Sequence, residues 1–365
     1  MAEKIKTYKE KFRPLIFPKD HQKHNHAIEW WYFNGNLKTK NNKIFSYMHC
    51  LFSAKPKKIK IPVLSQIPLD TLFFSHYLLS DNKKRTKSKI SPLCLMDKNS
   101  FQKPLFFAQY DNSCLIEEYQ PGKYRIINDF VDLKLEEEKP LLLLNKKGFI
   151  DVKAKTTYYY SLPRLKTTGI VKQNNCWTEV EGISWMDHQW SQAPVIDEDQ
   201  WTWFSIQLND KTDLVVFSYG NKIKTFHSSL SAPKGEIRTT DRVNIKPGKV
   251  FYKSPKTKIS YPLEYEIEIK DFDLKLKVKP LKKDQEMIFG PINYWEGSVK
   301  VKGALKGKKV EGLGFMELLP RIKDKNLIKI ILKEYKNNSI IGHVKELSNL
   351  SAKSIYFLTD KLNKN

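Results

Sequence analysis

Apolar and polar side chains alternate with a period of two along much of the chain. In Tyr265-Glu266-Ile267-Glu268-Ile269 apolar residues alternate with acids, and in Phe272-Asp273-Leu274-Lys275-Leu276-Lys277-Val278 the alternation resumes in the opposite phase. Successive strand residues point to opposite sides, so each segment predicts a half-buried β-strand. The slip near Lys270-Asp271 predicts a turn or bulge between them. Trp201 to Leu208, Leu214 to Tyr219 and Ser298 to Val301 read as further short strands, and Pro121-Gly122, Pro247-Gly248 and Gly290-Pro291 supply turn punctuation. Many short strands with frequent turns predict sandwiches or barrels. There is no Rossmann-type strand–helix alternation, and no G-x-G-x-x-G, P-loop or G-x-S-x-G, so nucleotide-binding and α/β-hydrolase readings lack support.

The pattern changes at four places. Lys55 to Pro62 and Asp81 to Lys89 are polar and Lys-rich, and predict solvated loops. Gln192 to Gln200 carries Pro194 and a polar, acidic end, and is the expected domain junction. Beyond it, Ile328, Ile331, Leu332 and Tyr335 fall at i, i+3, i+4 and i+7, with Lys329, Lys333 and Lys336 on another face. That spacing predicts an amphipathic basic helix, packed on a barrel or lying on a membrane surface. The expected division is residues 1–195, 196–325 and a helical extension over 326–365.

A length of 365 residues suits two domains, and 40% hydrophobic with 12% aromatic residues is enough for real cores. No apolar run is long enough for a transmembrane helix, and the first residues lack the apolar stretch of a signal peptide. A cytoplasmic location is expected, with membrane association through the tail as a second expectation. Cys50, Cys94, Cys114 and Cys176 are widely spaced and predict isolated thiols. The net charge of +24 raises the question of nucleic acid, yet of 64 basic residues only seven are Arg. Phosphate and base readers favour the Arg fork, so Lys spread along the chain reads as solvent-facing strand positions, and no nucleic-acid partner is expected.

Within this frame, three clusters set an acid beside large rings: Glu29-Trp30-Trp31-Tyr32, Trp185-Met186-Asp187-His188-Gln189-Trp190 and Tyr294-Trp295-Glu296-Gly297. A carboxyl group against an apolar wall loses hydration of its charged form, stays protonated to higher pH and can deliver a proton. Ring faces stabilise a cation formed on an alkene. On an extended strand Trp185, Asp187 and Gln189 share one face, and Met186, His188 and Trp190 the other. Asp187 and His188 therefore meet in one cavity only if the strand ends or bulges there. Glu29 and Trp31 likewise oppose Trp30 and Tyr32, while Trp201 and Trp203 share a face opposite Phe204. Glu29 and Glu296 equally suit a structural role, capping backbone amides or pairing with a cation. His21, His24 and His26 form an H-x-x-H-x-H run in which His24 and His26 share a face, but nothing in the pattern supplies the convergent set a metal requires, and no metal is expected.

These residues are also where the chain resembles a known family. Glu29-Trp30-Trp31-Tyr32 followed by Gly35 and Leu37, Gly182-Ile183-Ser184-Trp185-Met186-Asp187-His188-Gln189-Trp190, Trp201-Thr202-Trp203-Phe204-Ser205-Ile206-Gln207-Leu208, Tyr294-Trp295-Glu296-Gly297, and Gly303, Gly307, Gly312 and Gly314 ending in Glu317-Leu318 resemble the carotenoid 1,2-hydratase (hydroxyneurosporene synthase-like) family. The resemblance implies an all-β protein of two lipocalin-like antiparallel barrels packed together, with an apolar ligand site near their junction. It implies hydration, isomerisation or cyclisation of a polyene or terpenoid by acid–base chemistry without a cofactor. Asp187, His188 and Trp190 are the catalytic candidates; Glu29, Trp31, Tyr32, Trp185, Trp201, Trp203, Trp295 and Glu296 are the ligand-binding candidates. The hydratases also carry a tyrosine and an aspartate on the strand after the Trp-x-Trp segment, where this chain has Leu214-Val215-Val216-Phe217-Ser218-Tyr219-Gly220. The alternative is a non-catalytic carrier of the same kind of ligand.

Overall fold

The computed structural model describes residues 12–58, 69–83, 86–91, 93–152, 155–173, 176–192, 200–220, 224–289 and 292–320. The expected tail helix and most of the expected domain junction lie outside these residues. The described chain is nearly all strand, in a 12-stranded sheet, a 10-stranded sheet and a short two-stranded ribbon. Every recorded strand pairing is antiparallel. The first sheet takes all its strands from Ile28 to Ser191, and the second takes its strands from Trp201 to Leu319. No helix of the described residues is long and apolar enough to cross a membrane.

The sheets are organised by which faces are wet. In the second sheet, Tyr265–Ile269 and Leu274–Pro280 pair across a turn at Lys270–Phe272. Leu274, Leu276 and Val278 are buried, while Lys275 and Lys277 face solvent. Lys275 and Lys277 reach Glu268 and Glu266 across the pair. Lys thus occupies the outer positions of a one-sided sheet, and the phase slip is the turn.

The central strands differ, because they are covered on both faces. Ile28–Lys38 is buried along almost its whole length, as is Asp213–Tyr219. Each sheet curls around its own core, with Trp31, Phe33 and Trp190 in the first and Phe204, Trp295 and Val299 in the second. A third core lies between the sheets, where Tyr32, Tyr159 and Trp185 meet Trp203, Phe217 and Tyr294. Large rings carry most of the burial free energy, on the order of 2–3 kcal/mol each. Polar pins lock this interface. Gln207 Nε2 donates to the Pro163 and Ser184 carbonyls at 2.7 and 2.9 Å. Arg164 and Lys139 converge on Asp213, with nitrogens 2.6 and 2.9 Å from its carboxylate oxygens.

Close strand approach explains one glycine, and a ring of the same strand explains another. A Cβ on Gly314 would lie 2.0 Å from the Ser205 carbonyl oxygen, and one on Gly297 would lie 2.6 Å from the Trp295 ring. One expectation needs correction. Part of Asp81 to Lys89 is not a loop, because Thr86–Ser91 forms the edge strand of the first sheet. Lysines on an edge strand discourage pairing with another chain, so the charge run has a strand explanation. The four cysteines are free thiols, three of them buried.

Candidate active site

The strand Cys176–Ser191 runs without a bulge against Ile28–Lys38 from Glu181 to Ser191. Period two therefore holds through Trp185 to Trp190, and the Asp187 and His188 side chains diverge. Asp187 faces the second sheet; His188 and Trp190 face the hollow of the first. The two catalytic candidates do not share a cavity, because nothing ends or kinks the strand between them.

On the Asp187 side, a cavity opens between the sheets. Trp30, Tyr32, Phe52 and Phe74 line it from the first sheet, and Trp201, Trp203, Phe217 and Tyr294 from the second. Asp187 sits opposite Tyr32 on one neighbouring strand and Ser161 on the other. Its carboxylate accepts from Ser161 Oγ and Trp185 Nε1 on Oδ1 and from Tyr159 O–H on Oδ2, each at 2.6 Å. Trp203 Nε1 donates to the Tyr159 oxygen at 2.8 Å, carrying the network across to the second sheet. Burial pushes the Asp187 pKa up to about 7, against the hydrogen bonds from Ser161, Tyr159 and Trp185 that favour the carboxylate.

The second sheet contributes another pair of acids. Glu296 and Glu317 face each other across the ladder between Ile292–Leu305 and Lys308–Leu319. Glu317 lines the cavity and accepts from Trp201 Nε1. Glu296 is fully buried and accepts from Tyr32 O–H at 2.7 Å. Burial raises both pKa values, and repulsion from Glu317 lifts that of Glu296 well above the ordinary range. Two buried carboxyls this close titrate as a pair, so the pair holds a proton where free glutamates would have lost theirs. Also in the lining, Tyr294 O–H lies 2.7 Å from His76 Nε2, and burial lowers the His76 pKa to about 3, which leaves a neutral imidazole.

On the opposite face, His188 lies 2.9 Å from Glu29 Oε1 through Nε2 and 3.0 Å from the Tyr160 hydroxyl through Nδ1. Its ring stacks on Trp31 at 4.9 Å between centroids. Burial lowers the His188 pKa to about 4. Burial alone would raise the Glu29 pKa, but hydrogen bonds from His188 and His24 hold it below its ordinary value. His24 stacks on Trp190 at 3.9 Å and brings Nδ1 to 2.7 Å from Glu29 Oε1. His24, Glu29 and His188 thus form a polar knot under the N-terminal segment.

Of the sequence candidates, Asp187, Tyr32, Trp201 and Trp203 line the cavity. Trp185 and Glu296 support it through Asp187 and Tyr32. Glu29, Trp31, His188 and Trp190 belong to the other face, and Trp295 to the core of the second sheet. Tyr159, Ser161 and His76 were not among the candidates, and Glu317 was noted only as part of the family resemblance. The run Tyr158-Tyr159-Tyr160-Ser161 held a usable signal: alternation sends Tyr158 and Tyr160 to one face, and Tyr159 and Ser161 to the other.

This sequence matches the AttH-like family over residues 8–320. The chain belongs to the AttH-like family. The crystal structure of a protein assigned as AttH from Nitrosomonas europaea superposes with a TM-score of 0.70 at 25% identity, covering 85% of this chain and 98% of that one. Kievitone hydratase of Nectria haematococca superposes with a TM-score of 0.67 over 84% of this chain and 93% of its own; at 16% identity it shows a shared fold. Kievitone hydratase of Fusarium solani subsp. phaseoli is 26% identical over 173 residues, 45% of this chain and 49% of that protein. This AttH-like chain thus aligns with about half the length of that curated relative. The matched family is AttH-like, and the carotenoid hydratases expected from the motifs are a related family.

Proposed function

We propose that this AttH-like protein is a hydratase-type enzyme that adds water across a double bond of an apolar, isoprenoid-like small molecule held between the two sheets. The observation that carries the reading is placement. Asp187 from the first sheet and Glu317 from the second open into one cavity whose remaining walls are largely aromatic. The hydratase relative supports the reaction class. An acyclic polyene of the carotenoid type is one substrate of this kind; another terpenoid is a second.

The chemistry needs a proton and a water molecule. A neutral carboxyl at Asp187 donates its proton to one alkene carbon, forming a C–H bond and leaving a cation on the other. Trp203, Trp30 and Tyr32 present ring faces or edges to that space, and desolvated ring faces stabilise a cation by about 0.5–2 kcal/mol each. Water adds to the cation, and its proton returns to the Asp187 carboxylate. Glu317 accepts a hydrogen bond from that water and orients it. His188 lies on the far side of the strand and holds the wall rather than the substrate.

The test combines binding and turnover. Quenching of tryptophan fluorescence by polyenes and terpenoids identifies ligands, and ¹⁸O incorporation from labelled water detects hydration of them. D187N is expected to bind with unchanged affinity and to lose turnover by at least about 100-fold. Binding without ¹⁸O incorporation by the unaltered protein, across both ligand classes, would leave a carrier and overturn the enzyme reading.

A further inference from the structure

Away from the cavity, two imidazoles converge on one carboxylate oxygen. His24 Nδ1 and His188 Nε2 lie 2.7 and 2.9 Å from Glu29 Oε1, and the three donor atoms all fall within 4.8 Å of one another. We propose that His24, Glu29 and His188 bind a divalent transition-metal ion of the zinc class, which clasps the N-terminal segment to the wall of the first sheet.

The ligand chemistry fits such an ion. Two imidazoles and one carboxylate form a set that zinc accepts, with a fourth position left for water, whereas calcium and magnesium prefer all-oxygen shells. Bonds of about 2.0–2.1 Å in a tetrahedron put neighbouring ligand atoms about 3.3 Å apart. The two contacts to Glu29 Oε1 need to open by only about half an ångström to reach that, while the two imidazole nitrogens, within 4.8 Å of each other, draw together around the ion.

Each ligand is also held from behind. An imidazole that binds a metal usually has its other nitrogen on a carboxylate, carbonyl or hydroxyl, which fixes the tautomer and the ring. His24 Nε2 lies 3.0 Å from Asp20 Oδ1, and His188 Nδ1 lies 3.0 Å from the Tyr160 hydroxyl. Glu29 Oε2 accepts from the His24 amide at 2.8 Å. Asp20 is anchored in turn by Arg13 and by the Ile16 amide at 2.6 Å. His24 keeps 12% of its side chain exposed, which gives an ion a way in, while Glu29 and His188 are buried. The ligands come from the N-terminal segment, from the start of Ile28–Lys38 and from Cys176–Ser191, so the ion would join three parts of the chain.

The experiment uses the untagged full chain, stripped with a chelator and titrated with Zn²⁺ by calorimetry and with Co²⁺ by visible absorption. One ion per chain at micromolar or tighter Kd is expected, with tetrahedral-type Co²⁺ bands and a raised Tm. H24Q, on a partly exposed segment, and the isosteric E29Q should each lose at least about 100-fold in affinity while circular dichroism stays unchanged; D20N should lose about 10–100-fold. Uptake well below one ion per chain would overturn the proposal. So would uptake that H24Q leaves unaltered, and this variant alone decides if E29Q fails to fold.

Discussion

Asp187 shows how a single carboxyl is set between two states. Burial opposes its charge, and three donors at 2.6 Å favour it. Trp185 achieves one of these contacts from two residues upstream on the same strand face, so the Trp-x-Asp spacing is itself the geometry. Glu296 and Glu317 lack such a set of donors, and their pKa values are raised. The sign for stability follows from linkage: the folded state keeps protons that the unfolded chain releases above its ordinary carboxyl pKa, so these groups lower stability as pH rises through that window. E317Q removes one such group. Urea unfolding between about pH 5 and pH 8 should show E317Q gaining stability relative to the unaltered protein as pH rises. Parallel pH curves for the two proteins would place the Glu317 pKa near its ordinary value.

At the scale of elements, the strands divide by the number of dry faces. Tyr265–Ile269 and Leu274–Pro280 have one wet face, so their alternation is written plainly in residue types. Ile28–Lys38 is covered on both faces, so hydrophobicity does not alternate there, although the side-chain directions still do. That is why the split of Trp30 and Tyr32 from Glu29 and Trp31 was legible while the identity of each face was not. The partners of the site lie far apart in the chain: Tyr32 and Glu296 are 264 residues apart, and Tyr159 and Trp203 are 44. Such contacts leave no local signature, and Glu317, in Met316-Glu317-Leu318-Leu319, has no ring beside it in sequence. The glycines of the family pattern were legible as positions, and for Gly303, Gly312 and Gly314 the reason is strand approach. G314A would push a methyl into the Ser205 carbonyl between Trp201–Leu208 and Lys308–Leu319. It should destabilise by about 1–3 kcal/mol through forced backbone shifts. A G307A control meets open space, but its positive φ of 72° strains any side chain, so its cost should be smaller and local to the turn. Chemical denaturation of both variants checks the order.

Across the whole molecule, the site exists only while the two sheets stay docked, because Asp187 and Glu317 belong to different sheets. The third core joins them, and so does the clamp on Asp213. Arg164 and Lys139 are nearly buried, and Asp213 has no exposed side-chain surface. Taking these charges out of water is costly, and burial does raise the Asp213 pKa despite both cations. Removing one partner is costlier than the pair's net worth, because it leaves charge buried without its full complement. R164A should therefore cost about 3 kcal/mol, the low end for a broken buried pair because Lys139 remains. The interface has a ring-rich core of its own, so separation of the sheets would expose extensive apolar surface. The two should unfold in a single transition, with far-ultraviolet circular dichroism reporting strands and tryptophan fluorescence reporting rings of all three cores at the same midpoint. R164A should lower both midpoints together. A fluorescence transition that precedes the loss of strand signal would mean that the sheets part before they melt, and that the cavity is held by weaker forces than the third core and the Asp213 clamp imply.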